Sequence, residues 1–347
     1  MAIIDLRSDF LTRPTPAMLT AGDAAAQALH FGLREDPHQR ALEERLAALL
    51  GHEDALVFPT CTMANLTAAL LLGRPGTRAV MQRDAHMLTS EAGGIAAFAG
   101  LLPDPLPGDA AMPPLESWRR AVAIGDEQKP AASLLVLENT HNRAGGIAVP
   151  ADYARDVAAI GRAAGMALHL DGSRLFHAAA ALRVPVHALA DGFDTVSISL
   201  NKAFGGPIAA ALVASRALIE QAVTVRQRLG GGIRPTGPTA AATLAGLDDA
   251  ELHETHVLAA ALADGLAAVS GLRVDTGGTR TNIVVAEITS AALTAPLLRD
   301  RLACDGLLAL PFDARRLRFI TYRGITAQDI DAAVGIVARV MRESAAA

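Results

Sequence analysis

The chain has 347 residues, 51% of them hydrophobic, 19% charged and 30 of them glycine, enough for a sizeable core and long enough for two domains. This excludes disorder, collagen-like repeats and disulfide mini-scaffolds. Lys and Arg number 31 against 36 Asp and Glu, a net charge of −5 without a long run of either sign, which argues against nucleic acid as a partner.

Near the start, Asp5 and Arg7 stand where a signal peptide needs an apolar stretch, and Cys61 and Cys304 make no disulfide framework, so a cytoplasmic protein is expected. Short apolar runs then alternate with helical spacing. Residues 55–58, 78–81, 133–137, 167–170, 195–200 and 208–213 read as buried strands of a largely parallel sheet covered on both faces. Residues 55–73 hold no charge, but Pro59, Thr60, Thr62, Asn65 and Thr67 divide the stretch into strand, polar turn and helix, so no membrane partner is expected. Residues 103–114 read as a surface connection and 230–238 as a loop rich in breakers. Beyond about residue 250 the pattern changes to a long helix and shorter units. The expected domains are 1–250, a large α/β domain, and 251–347, a smaller α+β domain on which the opening residues, to about 15, are able to pack.

Ligands of open α/β sheets collect beyond the carboxyl ends of the strands, so the residues following each apolar run carry the information. After 55–58 comes a hydroxyl-rich turn, Pro59 to Asn65, which opens a helix and suits either a phosphate or simple N-capping by Thr60 or Thr62. After 167–170 comes Asp171-Gly-Ser-Arg174, an acid at a strand mouth or a plain salt-bridged pair. After 195–200 come Asn201 and Lys202, with no charge in 203–215 to pair the lysine. A lysine able to lose its proton, an acid for a pyridine nitrogen and a phosphate turn are together the parts of a pyridoxal phosphate site.

Denser motifs extend the pattern: Asp5-Leu-Arg-Ser-Asp9 with Arg13-Pro-Thr15, Glu35-Asp-Pro37, Pro59-Thr-Cys-Thr-Met63, Asp84-Ala-His86, Glu138-Asn-Thr-His-Asn-Arg143 with Gly145-Gly146, and Leu229 to Arg234. On these the sequence resembles the threonine aldolases of the β-eliminating lyase group over nearly its whole length. The resemblance implies an α/β chain of pyridoxal phosphate (PLP) fold type I, with an aspartate-aminotransferase-like large domain and a small α+β domain. It makes Lys202 the Schiff-base lysine and Asp171 the partner of the pyridine nitrogen. It stacks His86 on the ring, sets Thr60, Cys61, Thr62 and Arg174 around the cofactor, and gives the substrate carboxylate to Ser8, Arg174 and Arg318. Arg234 would reach a phosphate across a subunit boundary, implying a homo-oligomer, a tetramer built as a dimer of dimers, with shared sites. No metal is expected.

The implied reaction cleaves the Cα–Cβ bond of a β-hydroxy-α-amino acid to glycine and an aldehyde, with His86, His141 or a water they hold as the base. His86 is the preferred one, Glu91 could orient the water, and His141 otherwise bonds backbone within its turn. Cys61 reads as a packed side chain rather than a nucleophile. Other readings are β-elimination or dehydration on the same scaffold, and a binding protein without catalysis. The chain departs from the family pattern at Cys61, Asn201, Ala203, Tyr322 and the block His30 to Arg34. Arg34 would contact an acidic substrate group or pair with Glu35 or Asp36 at the surface.

Overall fold

The computed structural model describes residues 3–108, 111–123, 125–247, 252–275, 277–291 and 293–346. Among these the strands are, in chain order, β1 (Ile4–Asp5), β2 (Asp54–Phe58), β3 (Arg78–Met81), β4 (Leu102–Pro105), β5 (Ala132–Glu138), β6 (Ala167–Gly172), β7 (Thr195–Ser199), β8 (Ala210–Ala214), β9 (Leu272–Val274), β10 (Ile283–Ile288), β11 (Leu307–Leu308), β12 (Leu310–Pro311) and β13 (Arg316–Ile320). The chain divides into two compact units, one of residues 14–144 and 148–250, the other of residues 1–13, 145–147 and 251–347. The expected boundary at 250/251 lies outside the described residues.

The larger unit is built on a seven-stranded sheet in the order β2-β8-β7-β6-β5-β3-β4. Strand β8 runs antiparallel to both neighbours, β2 and β7, and the remaining pairs are parallel, so the sheet is mostly parallel, as expected for the α/β class. Strands β2, β3, β7 and β8 are buried along their whole length, which is why they read as continuous apolar runs.

Three sequence expectations change here. Residues 103–105 belong to the strand Leu102–Pro105 rather than to a surface connection; β4 is an edge strand beside β3, and an edge tolerates Pro103 and Pro105 because a position facing away from the sheet needs no ladder N–H. Leu200 does not end a strand but opens the short helix Leu200–Phe204, closed by Gly205 at a φ of 70° that a residue with a side chain adopts at a cost. Ile208 likewise precedes β8.

The smaller unit carries the antiparallel sheet β12-β13-β10-β9 and the parallel pair β1-β11. The helices Leu252–Ala267, Ala295–Cys304 and Ala327–Ala346 complete it, and Leu262, Leu266, Val284, Phe319, Ala333 and Val337 lie in its core. Burying each of the larger of these side chains contributes about 1.5–3 kcal/mol. Among the described residues no helix is long and apolar enough to cross a membrane.

Candidate active site

Strand register lays the floor of the site in the larger unit. Glu138 on β5 lies beside Asp171 on β6, and Asp171 beside Ser197 on β7; two residues earlier His169 lies beside Thr195. Alternation along a strand puts His169, Asp171, Thr195 and Ser197 on one face. The helix Cys61–Leu72 brings Asn65 to these residues. Asn65 Nδ2 donates to Asp171 Oδ2 at 2.9 Å and to Glu91 Oε1 at 2.7 Å, while its Oδ1 accepts from Ser197 Oγ at 2.5 Å and lies 3.1 Å from His169 Nε2. Burial pushes the His169 ring down to about 4, which keeps it neutral, with Nδ1 2.8 Å from Thr195 Oγ1.

One carboxylate organises the two candidate bases. Glu138 Oε2 accepts from the backbone N–H of His86 at 2.8 Å, and Oε1 accepts from that of Asn142 at 2.9 Å. The histidines then differ in what their rings do. His86 Nδ1 lies 2.9 Å from Glu91 Oε1 and 4.0 Å from Asp171 Oδ2. Burial alone would lower the His86 pKa, but the hydrogen bond to Glu91 and the charges of Asp171 and Glu138 outweigh it and hold the ring above its ordinary 6.5. Glu91 is raised chiefly by burial, with the Asp171 charge adding to it. In the buried His141, Nδ1 accepts from the backbone N–H of Ala144 at 3.1 Å, so the neutral ring carries its proton on Nε2. That Nε2 is buried, 3.9 Å from Glu138 Oε2, and has no hydrogen-bond partner among the described residues. His141 therefore does bond backbone within its turn, and a donor is left over.

A base must shed its own proton before it can accept one. With His86 held above 6.5, kcat/KM is expected to rise with pH through a midpoint above that value. Glu91→Gln removes the first of the groups that raise it, so the midpoint should fall; a pH–rate profile that keeps its acid limb in the variant would remove His86 as the titrating base.

Lys202 is buried on the helix Leu200–Phe204. Its charge and that of Asp171 both act on the Cys61 thiol, which burial above all pushes up to about 12 and which accepts from Ser173 Oγ at 3.1 Å. A thiol so placed is a packed side chain, not a nucleophile. Thr60 caps the helix Cys61–Leu72, its Oγ1 accepting from the Met63 N–H at 3.1 Å, so capping is established for Thr60. The next N–H groups, those of Cys61 and Thr62, belong to the first helical turn, where no intrahelical acceptor exists and the helix dipole favours an anion. The guanidinium of Arg174 is buried, with Nη1 3.5 Å from Asn142 Oδ1.

Ser8 and Arg318 belong to the smaller unit. Ser8 Oγ accepts from the Phe10 N–H at 3.2 Å, and Arg318 Nη2 donates to the carbonyl of Arg7, the residue before Ser8, at 3.2 Å, with its guanidinium 4.9 Å from the Phe312 ring. Tyr322 donates to the Asp5 carbonyl at 2.8 Å. Arg234 is exposed on the 230–236 loop, 5.4 Å from the ring of Phe31. Arg34 takes neither expected role: it pairs with Glu43 and Asp54 at 2.9 Å each and donates to the Ala55 carbonyl, because the fully buried Glu43 carboxylate requires a cation. The sequence reading passed over Asn65, His169 and Ser197 as site residues. The signal available for Asn65 was the one amide in an uncharged stretch whose other polar residues are threonines.

The β-eliminating lyase family matches over residues 5–289. Low-specificity L-threonine aldolase 1 of Arabidopsis thaliana is 36% identical over 338 residues, 95% of this chain and 94% of that protein. The threonine aldolase structure of Leishmania major has a TM-score of 0.83 at 21% identity, covering 97% of this chain and 99% of that one. A serine palmitoyltransferase from S. paucimobilis, solved with bound PLP, has a TM-score of 0.76 at 20% identity over 99% and 89% of the two chains. The fold is that of the type I PLP enzymes, and the chain belongs to the β-eliminating lyase family, within its threonine aldolase group.

Proposed function

We propose that the protein is a PLP-dependent aldolase that cleaves the Cα–Cβ bond of a β-hydroxy-α-amino acid of the threonine or allo-threonine type, giving glycine and an aldehyde. The observation that carries this reading is the meeting of three groups at one end of the sheet: the Asp171 carboxylate, the Lys202 amine and the open N-terminal turn of the helix Cys61–Leu72. The donor set fits PLP. Asp171 offers a carboxylate fixed by Asn65 and by the Ser173 N–H for a protonated ring nitrogen, the N–H groups of Cys61 and Thr62 suit the phosphate, Lys202 supplies the covalent anchor and His86 a ring to stack.

When bound, the cofactor supplies an electron sink for the pair released as the bond at Cα breaks. The rest is the work of the chain. Arg174, with Ser8 and Arg318, would hold the substrate carboxylate and so orient Cα. His86, tied through Nδ1 to Glu91, has Nε2 left to take the β-hydroxyl proton. His141, with its proton on Nε2, would donate to the same oxygen as it becomes a carbonyl. Exposed Arg234 supports a site completed by a second copy, and we infer a homotetramer acting on a small amino acid in the cytoplasm, a setting compatible with two free cysteines.

Incubation with PLP and L-threonine or L-allo-threonine should yield glycine and acetaldehyde in equal amounts. Ammonia and a 2-oxo acid in their place would mark β-elimination and overturn the proposal. Arg318→Ala should raise the KM for the amino acid about 10- to 100-fold, the scale of one charge-assisted contact, while leaving PLP retention nearly unchanged. Equal losses of substrate and cofactor binding would exclude the assigned role. Light scattering after gel filtration tests the tetramer.

A further inference from the structure

Asn65 sets a single amide between two buried carboxylates. Both protons of Nδ2 are engaged, one by Asp171 Oδ2 at 2.9 Å and one by Glu91 Oε1 at 2.7 Å. At the other end Oδ1 accepts from Ser197 Oγ, and neutral His169, whose Nδ1 accepts from Thr195, donates to it through Nε2. The amide cannot turn over, because the flipped side chain would set its oxygen against two carboxylates that only accept.

One side-chain nitrogen or oxygen from each of His86, Glu91 and Asp171 lies within 4.8 Å of the others. Carboxylates that close in a buried place do not both ionise freely; without a donor between them one takes up a proton. Asp171 protonated would be unable to hold a protonated ring nitrogen, and Glu91 protonated would hold His86 less firmly. Other titratable groups around the cluster are Glu138 from β5, whose charge acts on His86, His169 from β6 and Cys61 from the helix Cys61–Leu72, on both of which the Asp171 charge acts, and Lys202 from the helix Leu200–Phe204, which acts on Cys61.

Resting on the functional reading above, we propose that Asn65 is a positioning residue of the reaction: donating to both carboxylates at once, it keeps Asp171 available to the cofactor ring nitrogen while Glu91 orients His86. In this role Asn65 acts through its two partners.

The test compares the PLP-loaded protein with Asn65→Leu, close in volume but without donors, checking the fold by circular dichroism. The dissociation constant for PLP should rise about tenfold, the loss of one hydrogen bond to a charged group. The pH midpoint at which the visible absorbance of the bound cofactor changes should shift, and kcat should fall by a larger factor than the KM for L-threonine moves. A folded Asn65→Leu that binds PLP within twofold of the unchanged protein and titrates at the same midpoint overturns the proposal. Should that variant not fold, the same two measurements on Asn65→Ser, whose short hydroxyl cannot reach both acids, decide on the same terms. If the unchanged protein takes up no PLP, the functional reading fails first; uptake with no difference between variants condemns the role of Asn65 alone.

Discussion

Lys202→Ala should lower turnover by on the order of 10⁴-fold or more, the scale seen when a member of a catalytic unit is removed. Lys202 lies buried on a five-residue helix that follows β7 directly, so little freedom remains for its stem, and it shares a neighbourhood with Asp171 and Cys61. Of the groups there only an amine can hold an aldehyde cofactor reversibly; the Cys61 thiol, pushed up to about 12, is protonated at neutral pH. Borohydride reduction followed by mass spectrometry separates anchoring from a general loss of structure. The unchanged protein should carry the cofactor mass on the peptide holding Lys202, and the alanine variant should carry none anywhere. Modification at another lysine, or substantial turnover in the variant, would remove Lys202 from its role.

Glu43→Ala should cost about 3–5 kcal/mol of folding stability, the range for breaking a buried ion pair from one side. Glu43 is fully buried on the helix Pro37–Leu50. Its Oε2 accepts from Arg34 Nη2 at 2.9 Å and Arg40 Nη1 at 2.8 Å, and its Oε1 from Gln39 Nε2 at 2.8 Å and the Val57 N–H at 3.2 Å. Asp54 also faces the two arginines, at 2.9 and 3.4 Å, and the more exposed Glu44 reaches Arg40 at 3.5 Å. Deleting Glu43 takes from both arginines their most deeply buried acid and orphans the Val57 N–H on the edge strand β2. Urea unfolding of the apoprotein measures the change, and a loss below about 1 kcal/mol, the worth of an exposed pair, would show that the cluster is solvated. Because Arg34 also holds the Ala55 carbonyl and Val57 lies in β2, the same change should loosen that edge of the sheet.

The sheet was legible in the sequence because a strand buried on both faces has no polar side to disguise it. The antiparallel run of β8 was not, since 210–214 is apolar read in either direction. Strand β4 was hidden by its prolines, which only an edge position excuses. At the site, Asp171 and Lys202 stood out because each ends an apolar run. Asn65, His169 and Ser197 did not, because they meet only through the alignment of β6 with β7 and the docking of a helix some hundred residues earlier in the chain. Arg34 misled for a related reason: its nearest acids in sequence are Glu35 and Asp36, but its partners are 9 and 20 residues away.

The clamp formed by Glu138 has a bearing on redesign. One oxygen holds the turn that begins at His86 and the other holds the turn that contains His141. The two histidines thus hang from a common bracket, and any change that tilts one turn is transmitted to the other. Refitting the enzyme for bulkier aldehydes by reshaping either turn alone would detune proton transfer along with fit, so productive variants should gather on walls that the bracket does not carry, and paired changes in both turns should outperform the sum of single ones.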